Sequence, residues 1–107
     1  MTNITFFIRD HKIFGFQSKG HAGYGMRGTD IVCASVSILL VNTINSIEKF
    51  TSDRFESKVN DKKATIHFEI DGDVSDEATV LLKALELGVT EISGEYPGNV
   101  SVKYQNY

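Results

Sequence analysis

The residues best suited to chemistry lie between Gly20 and Cys33. Cys33 is the sole cysteine of the chain, and His21 lies twelve residues before it, on a loop with four glycines in nine residues. A thiolate beside an imidazole forms a nucleophile and a base, the pair that hydrolyses amides through a thioester. Glycine at that density lets backbone amides approach a substrate closely. We therefore predict that Cys33 and His21 form a catalytic pair.

The segment after the glycine-rich loop predicts a long helix, from about Asp30 to Phe50, with Thr29 or Asp30 as its N-cap. Cys33 would then lie in the first turn. There, unpaired N–H groups and the positive end of the helix dipole favour a thiolate. The amides of that turn, including that of Cys33, would also donate to an oxyanion.

Two polar residues on the predicted helix have more than one interpretation. Asp30 is a helix cap, a partner of His21 or a contact for a basic group of the substrate. Ser37 lies one turn beyond Cys33 on the same helix face. Its hydroxyl either bonds near the thiolate or bonds back to a helix carbonyl. The other histidines are predicted to be bystanders, with His11 in a turn and His67 on the solvent face of a strand.

Two competing functions belong to other classes. The segment from Gly23 to Gly28 matches G-x-G-x-x-G between a strand and a helix, a pattern typical of anion or nucleotide binding. Asp30 would, however, place a negative charge where a phosphate binds. The long apolar helix also suits a non-catalytic dimeric binding module. One cysteine and three histidines without ligand spacing predict no metal site, and no cofactor is expected.

The periodicity along the chain predicts an α+β fold with the order β-β-α-β-β-α-β, a mostly antiparallel sheet packed with two helices. The first two strands are predicted to form a hairpin around Asp10–Lys12, with a bulge at Gly15. The second helix should begin at Ser75 and be capped by Gly94. The predicted strands are 4–9, 13–18, 55–59, 64–70 and 100–104.

The whole chain is predicted to be one domain, residues 1–107. Its net charge of −3 and its scattered lysines and arginines do not suggest nucleic-acid binding. A lone cysteine, no signal-peptide pattern at the N-terminus and no long uninterrupted apolar run predict a cytoplasmic protein that does not associate with membranes. The first helix is apolar almost all round, which predicts a second copy of the chain on its outer side, unless the chain's own second helix covers it.

The residues from Gly20 to Ala34 resemble the signature of the bacterial ribosomal-processing cysteine proteases called Prp. That family has a G-H-A loop, then G-x-D-I-V-C-A at the opening of a helix, and a serine four residues after the cysteine. All of these are present here as Gly20–Ala22, Gly28–Ala34 and Ser37. Length and element order extend the resemblance over essentially the whole chain, although the part after Phe50 is less diagnostic.

The resemblance implies a function more specific than thiol chemistry. Cys33 would be the nucleophile and His21 the general base and acid, while Gly20, Tyr24, Asp30 and Ser37 would support the site or bind substrate. Tyr24 would line a pocket for an aromatic side chain or pack on the core. Members of the family are cytoplasmic homodimers. They remove a short N-terminal extension from a large-subunit ribosomal protein, cutting after paired aromatic residues.

Overall fold

Five strands form one mixed sheet in the computed structural model, which describes residues 1–20 and 27–107, with the backbone alone for residues 27–30. The strand order is β3-β4-β2-β1-β5, and every pairing is antiparallel except the parallel pairing of β1 with β5. This confirms the predicted α+β order. The elements are β1 Thr2–Arg9, β2 Lys12–Lys19, α1 Arg27–Phe50, β3 Phe55–Asn60, β4 Thr65–Ile70, α2 Asp76–Glu95 and β5 Val100–Asn106.

The β1–β2 hairpin is tighter than predicted. Asp10 and His11 alone form its turn, with φ of 54° and 64°, the backbone that a two-residue type I′ turn requires. The bulge at Gly15 is confirmed, because the β1–β2 register shifts where Phe7 pairs with Gly15 and Ile8 with Ile13. A Cβ at Gly15 would collide with the carbonyl oxygen of Phe68 on β4, so close strand approach requires glycine there.

A row of three phenylalanines crosses the inner face of the sheet. Phe6, Phe16 and Phe68 pair across β1, β2 and β4, and all three are fully buried. Burying such a side chain stabilises a fold by about 1.5–3 kcal/mol relative to leaving it exposed. The predicted alternation of β4 is confirmed, since Phe68 and Ile70 are buried on this face while the His67 side chain lies on the other.

Helix α1 presents one buried stripe and one exposed apolar stripe. Over Ile31–Phe50 it is long and apolar enough to cross a membrane, as core helices of soluble proteins also can be. The most apolar 18-residue stretch of this segment is 28% buried. The uninterrupted apolar runs of the sequence did not by themselves predict a helix long and apolar enough to cross a membrane. Isolated polar residues interrupt the run without making the helix polar. The buried stripe is Val32, Val36, Leu40, Ile44 and Ile47; the most exposed apolar residues are Ile31, Ile38 and Phe50.

The predicted N-cap of α1 is wrong, because the helix begins at Arg27 and contains both Thr29 and Asp30. The N–H groups of the first apolar residues bond to carbonyls four residues earlier, so the polar residues before them form the first turn. Cys33 is therefore the seventh residue of α1 and lies in its second turn, not its first.

The start of α2 is confirmed and its predicted C-cap is wrong. The Ser75 hydroxyl accepts a hydrogen bond from the Ala78 N–H at 3.1 Å. Gly94 lies inside the helix, and Tyr96 is the C-cap, its N–H donating to the carbonyl oxygen of Ile92 at 2.8 Å. Helical backbone is disfavoured immediately before a proline, so it is Pro97 that sets this boundary.

Candidate active site

Cys33 lines a cavity of about 220 Å³ between α1, the ends of β1 and β2, and the β3–β4 hairpin. Thr2, Ser18, Gly20 and Ser37 line the same cavity. These residues are far apart in the sequence, and the fold brings them to one place. Three of the predicted site residues, Gly20, Cys33 and Ser37, therefore line one cavity.

One stripe of α1 forms the helical side of the cavity. Cys33, Ser37 and Val41 are spaced by four residues and so lie above one another on one face. Cys33 is half-buried against the core. One interpretation of Ser37 is a hydrogen bond from its hydroxyl back to a helix carbonyl. Ser35 makes a bond of this kind, because its hydroxyl donates to the carbonyl oxygen of Ile31 at 2.8 Å. Within the described residues Ser37 makes no such bond, and its side chain faces the cavity with Cys33.

Gly20 joins strand β2 to the cavity. Its φ is +92°, a backbone conformation that favours glycine. Its N–H donates to the carbonyl oxygen of Ala64 at 3.0 Å, which ties the end of β2 to the β3–β4 hairpin. A Cβ at this position would lie 2.5 Å from the carbonyl oxygen of Met1. The glycine that precedes His21 is thus required by the backbone geometry and by the space around it.

The position of Cys33 changes two predictions about its activation. The effect of the helix dipole falls off within the first turn, and Cys33 lies beyond that turn. Its amide, as the seventh residue of the helix, has an acceptor within α1 and is no longer an unpaired oxyanion donor. Neither of these two predicted contributions of the helix start therefore applies to Cys33.

Two of the three histidines directly follow residues that line the Cys33 cavity: His21 follows Gly20, and His67 follows Ile66. His21 and Tyr24 lie outside the described residues, and Asp30 is described by its backbone only. His11 lies in the hairpin turn, separated from Gly20 by the eight residues of β2, a span of about 26 Å for an extended strand. Gly20, by contrast, is the sequence neighbour of His21 and lines the cavity.

His67 belongs to the opposite face of the sheet. Its Nδ1 lies 3.1 Å from Oε1 of Gln17, and its Nε2 lies 3.7 Å from Oε1 of Glu69. Its ring packs against Phe7 at a centroid distance of 5.4 Å. His67 is thus half-buried rather than simply exposed, and the sheet separates it from Cys33.

Two cavity residues escaped the sequence reasoning. Thr2 and Ser18 are buried polar residues on β1 and β2. Both occupy inward positions of strands whose other inward residues, such as Ile4 and Phe16, are apolar. A hydroxyl in an apolar register is a signal that the sequence does contain, although strand boundaries alone do not show what it faces.

The strand pairing and the lining of the cavity differ from those of a dinucleotide-binding site. The strand before the glycine-rich segment, β2, pairs antiparallel with both of its neighbours, unlike the adjacent parallel strands of a dinucleotide-binding unit. Among the described residues that line the cavity there is no lysine or arginine, and Asp61 adds a carboxylate. No three histidine, cysteine or acidic side chains gather into a metal cluster in the described part of the chain.

Comparisons with known proteins agree with a thiol site. The model of the family described as cysteine protease Prp matches residues 1–101. A ribosomal processing cysteine protease Prp from Staphylococcus aureus is 33% identical over 86 residues, covering 80% of this chain and 81% of that protein.

Two solved structures of the essential ribosomal processing protease Prp from S. aureus have the same fold. The structure with a covalently linked product peptide superposes with a TM-score of 0.89 at 29% identity. The structure with a substrate peptide gives a TM-score of 0.90 at 28% identity. Each comparison covers 98% of this chain and 100% of the other.

Proposed function

Because the chain belongs to the Prp family of cysteine proteases, it is a cysteine peptidase, and we propose that Cys33 is its nucleophile and His21 its general base and acid. The observation that carries this assignment is the cavity shared by Cys33 and Gly20, the residue immediately before His21. The catalytic unit is the domain formed by residues 1–107.

The proposed mechanism is amide hydrolysis through a thioester. His21 takes the proton of the Cys33 thiol, and the sulfur attacks the scissile carbonyl carbon. His21 then gives that proton to the amine nitrogen as the C–N bond breaks, which leaves an acyl group on Cys33. In the second half, His21 takes a proton from water, the water oxygen attacks the thioester, and the proton returns to the departing sulfur.

The other predicted site residues are proposed to support this pair. Asp30 precedes Cys33 by three residues in α1, so the two positions share a helix face, which supports a role beside His21 or against a basic group of the substrate. Ser37 lines the cavity, which supports a contact between its side chain and the peptide. Tyr24 is proposed to contact an aromatic side chain of the substrate.

The proposed substrate is the N-terminal extension of a large-subunit ribosomal protein, cut after paired aromatic residues in the cytoplasm. The S. aureus relatives are named as ribosomal processing proteases, and one of their structures contains a substrate peptide. A lone cysteine also suits a reducing compartment.

A homodimer through α1 is proposed from the apolar surface that the helix leaves exposed. Ile31 and Ile38 are each 68% exposed. A shallow groove of about 390 Å³ runs past Ile38, Asn42 and Asn45, and it shares Ser37 and Val41 with the Cys33 cavity. Coverage by the chain's own α2, the alternative interpretation, does not reach these exposed residues. The proposed dimer face therefore adjoins the catalytic cavity.

The catalytic assignment is tested with a quenched peptide that carries two adjacent phenylalanines before a small residue. The wild type should cleave it, and Cys33→Ala and His21→Ala should each lower kcat by at least about 10³-fold, as losses of a nucleophile or base do. His11→Asn is the matched control, since asparagine tolerates the positive φ of that turn and His11 is remote from the cavity. Full turnover by Cys33→Ala would overturn the assignment.

The substrate is tested separately with a large-subunit ribosomal protein that retains its N-terminal extension. Intact-mass measurement should show loss of the extension with wild type and none with Cys33→Ala. Cleavage of the short peptide without cleavage of the precursor would contradict the ribosomal substrate while leaving the peptidase activity intact.

A further inference from the structure

The buried hydroxyl of Thr2 has no hydrogen-bond partner among the residues that the structure describes. Its side chain lies on the inner face at the start of β1, and the residue is only 2% exposed. Its backbone is satisfied, since its N–H donates to the carbonyl oxygen of Asn99 at 2.8 Å. Its Oγ1, however, makes no hydrogen bond to any residue that the structure describes.

Other buried hydroxyls of this fold show what is expected. Thr43, also a buried threonine and located in α1, donates to the carbonyl oxygen of Leu39 at 2.8 Å. Buried polar groups are satisfied in the great majority of cases, because an unpaired one loses its hydrogen bonds to water without replacement. If Thr2 served only the fold, the protein would be more stable with a valine of the same shape at that position.

The location of Thr2 offers a reason for its hydroxyl. Thr2 lines the same cavity as Cys33 and Ser37. Its neighbours in that cavity include Val41 and Ile66, whose side chains provide no hydrogen-bonding group. A threonine hydroxyl both donates and accepts, so it suits either an N–H or a carbonyl oxygen of a peptide that enters.

We propose that Thr2 is a substrate-binding residue whose hydroxyl hydrogen-bonds a polar atom of the peptide next to the scissile bond. Thr2 and Cys33 line the same cavity, so a peptide whose carbonyl is attacked by the sulfur occupies the space that Thr2 lines. This inference rests on the proposed role of Cys33 as nucleophile.

The test replaces the hydroxyl with a methyl group of the same shape. Thr2→Val should lower kcat/KM for the quenched peptide by about 5- to 30-fold, the effect of one lost hydrogen bond. Its Tm should be equal to or above that of the wild type, because an unsatisfied buried group has been removed. Thr2→Ser keeps the hydroxyl and should restore most of the activity.

Thr43→Val is the matched control, because it removes a satisfied hydroxyl outside the cavity. It should lower Tm and leave kcat/KM unchanged. If Thr2→Val gives little soluble protein, Thr2→Ala removes the same hydroxyl without added bulk and is judged by the same two measurements.

A binding measurement separates this inference from the catalytic assignment. In a Cys33→Ala background, which cannot turn over, Thr2→Val should weaken binding of the fluorescent peptide, seen as a several-fold higher Kd by anisotropy. Unchanged Kd and kcat/KM in Thr2→Val would overturn the role of Thr2 alone. Full activity of Cys33→Ala would instead overturn the catalytic assignment on which it rests.

Discussion

At the scale of a single residue, Gly20 lies between strand β2 and His21, the predicted general base. Its positive φ turns the chain out of β2, and its N–H is bound to Ala64. The same residue lines the Cys33 cavity. The G-H-A signature therefore combines a backbone requirement with a predicted catalytic one, and the glycine is explained without any catalytic role of its own.

Gly20→Ala should lower both stability and activity. A side chain at φ +92° is strained, which costs about 1–3 kcal/mol, and its Cβ would press on the Met1 carbonyl oxygen. Thermal denaturation should show a lower Tm, and kcat/KM should fall because the cavity wall moves.

Gly94→Ala is the matched control for this prediction. Gly94 lies in α2 with open space around its Cβ position and no positive φ. Alanine there should raise the free energy of unfolding by up to about 1 kcal/mol. A Gly20→Ala protein as stable as the wild type would show that the turn out of β2 relaxes without strain.

Helix α1 serves three surfaces at the scale of an element. Val36 and Leu40 bury one stripe in the core, Cys33 and Ser37 line the cavity on a second, and Ile38 lies on a third that is exposed. A helix with so many roles has little room for a polar face, which explains why its composition resembles that of a membrane span.

A second element-scale contact joins β5 to α2. The Tyr104 hydroxyl donates to Oε2 of Glu86 at 2.5 Å. This hydrogen bond, with smaller contributions from burial and from the charge of Glu86, raises the pKa of Tyr104 from 10.0 to about 12. The neutral phenol is therefore favoured by folding, so its stabilising contribution is complete below pH 10 and is lost as the pH rises from 10 to 12.

Alkaline titration followed by tyrosinate absorbance should show a late transition from Tyr104. Tyr104→Phe should abolish that transition, and Glu86→Gln should move it to lower pH because the charged acceptor is gone. Tyr107→Phe is the control and should leave it in place. A late transition that survives in Tyr104→Phe would contradict the hydrogen bond as its cause.

The whole molecule is proposed to be a dimer whose α1 face adjoins the catalytic cavity. Apolar surface of this extent on one helix is stabilised by a partner that removes it from water. The groove and the cavity share Ser37 and Val41, so dimer formation and substrate binding are expected to influence one another.

Ile38→Asp should convert the dimer to a monomer near 11.9 kDa in sedimentation velocity at micromolar concentration. A carboxylate buried at an apolar interface loses its hydration without a partner, which opposes association. Val80→Asp on α2 is the control, because Val80 is 66% exposed and lies on the other helix. Wild-type protein that sediments as a monomer would contradict the dimer.

The elements and the thiol chemistry were predictable from the sequence because both depend on local patterns. Period-two alternation marked β4, a serine before an acidic turn marked the start of α2, and the spacing from His21 to Cys33 marked the site. The catalytic roles of Cys33 and His21 and the supporting roles of Gly20, Tyr24, Asp30 and Ser37 remain predictions. The start of α1 was missed by three residues, since an apolar run shows where a helix is buried and not where its hydrogen bonds begin.

Only the tertiary structure decided which distant residues meet. It paired β1 with β5 in parallel, set His67 against Gln17 and Phe7, and brought Thr2 into the cavity of Cys33. Local periodicity determines which face of a strand is buried. The neighbours of that face come from strands and helices far along the chain, and their positions depend on how the whole core packs.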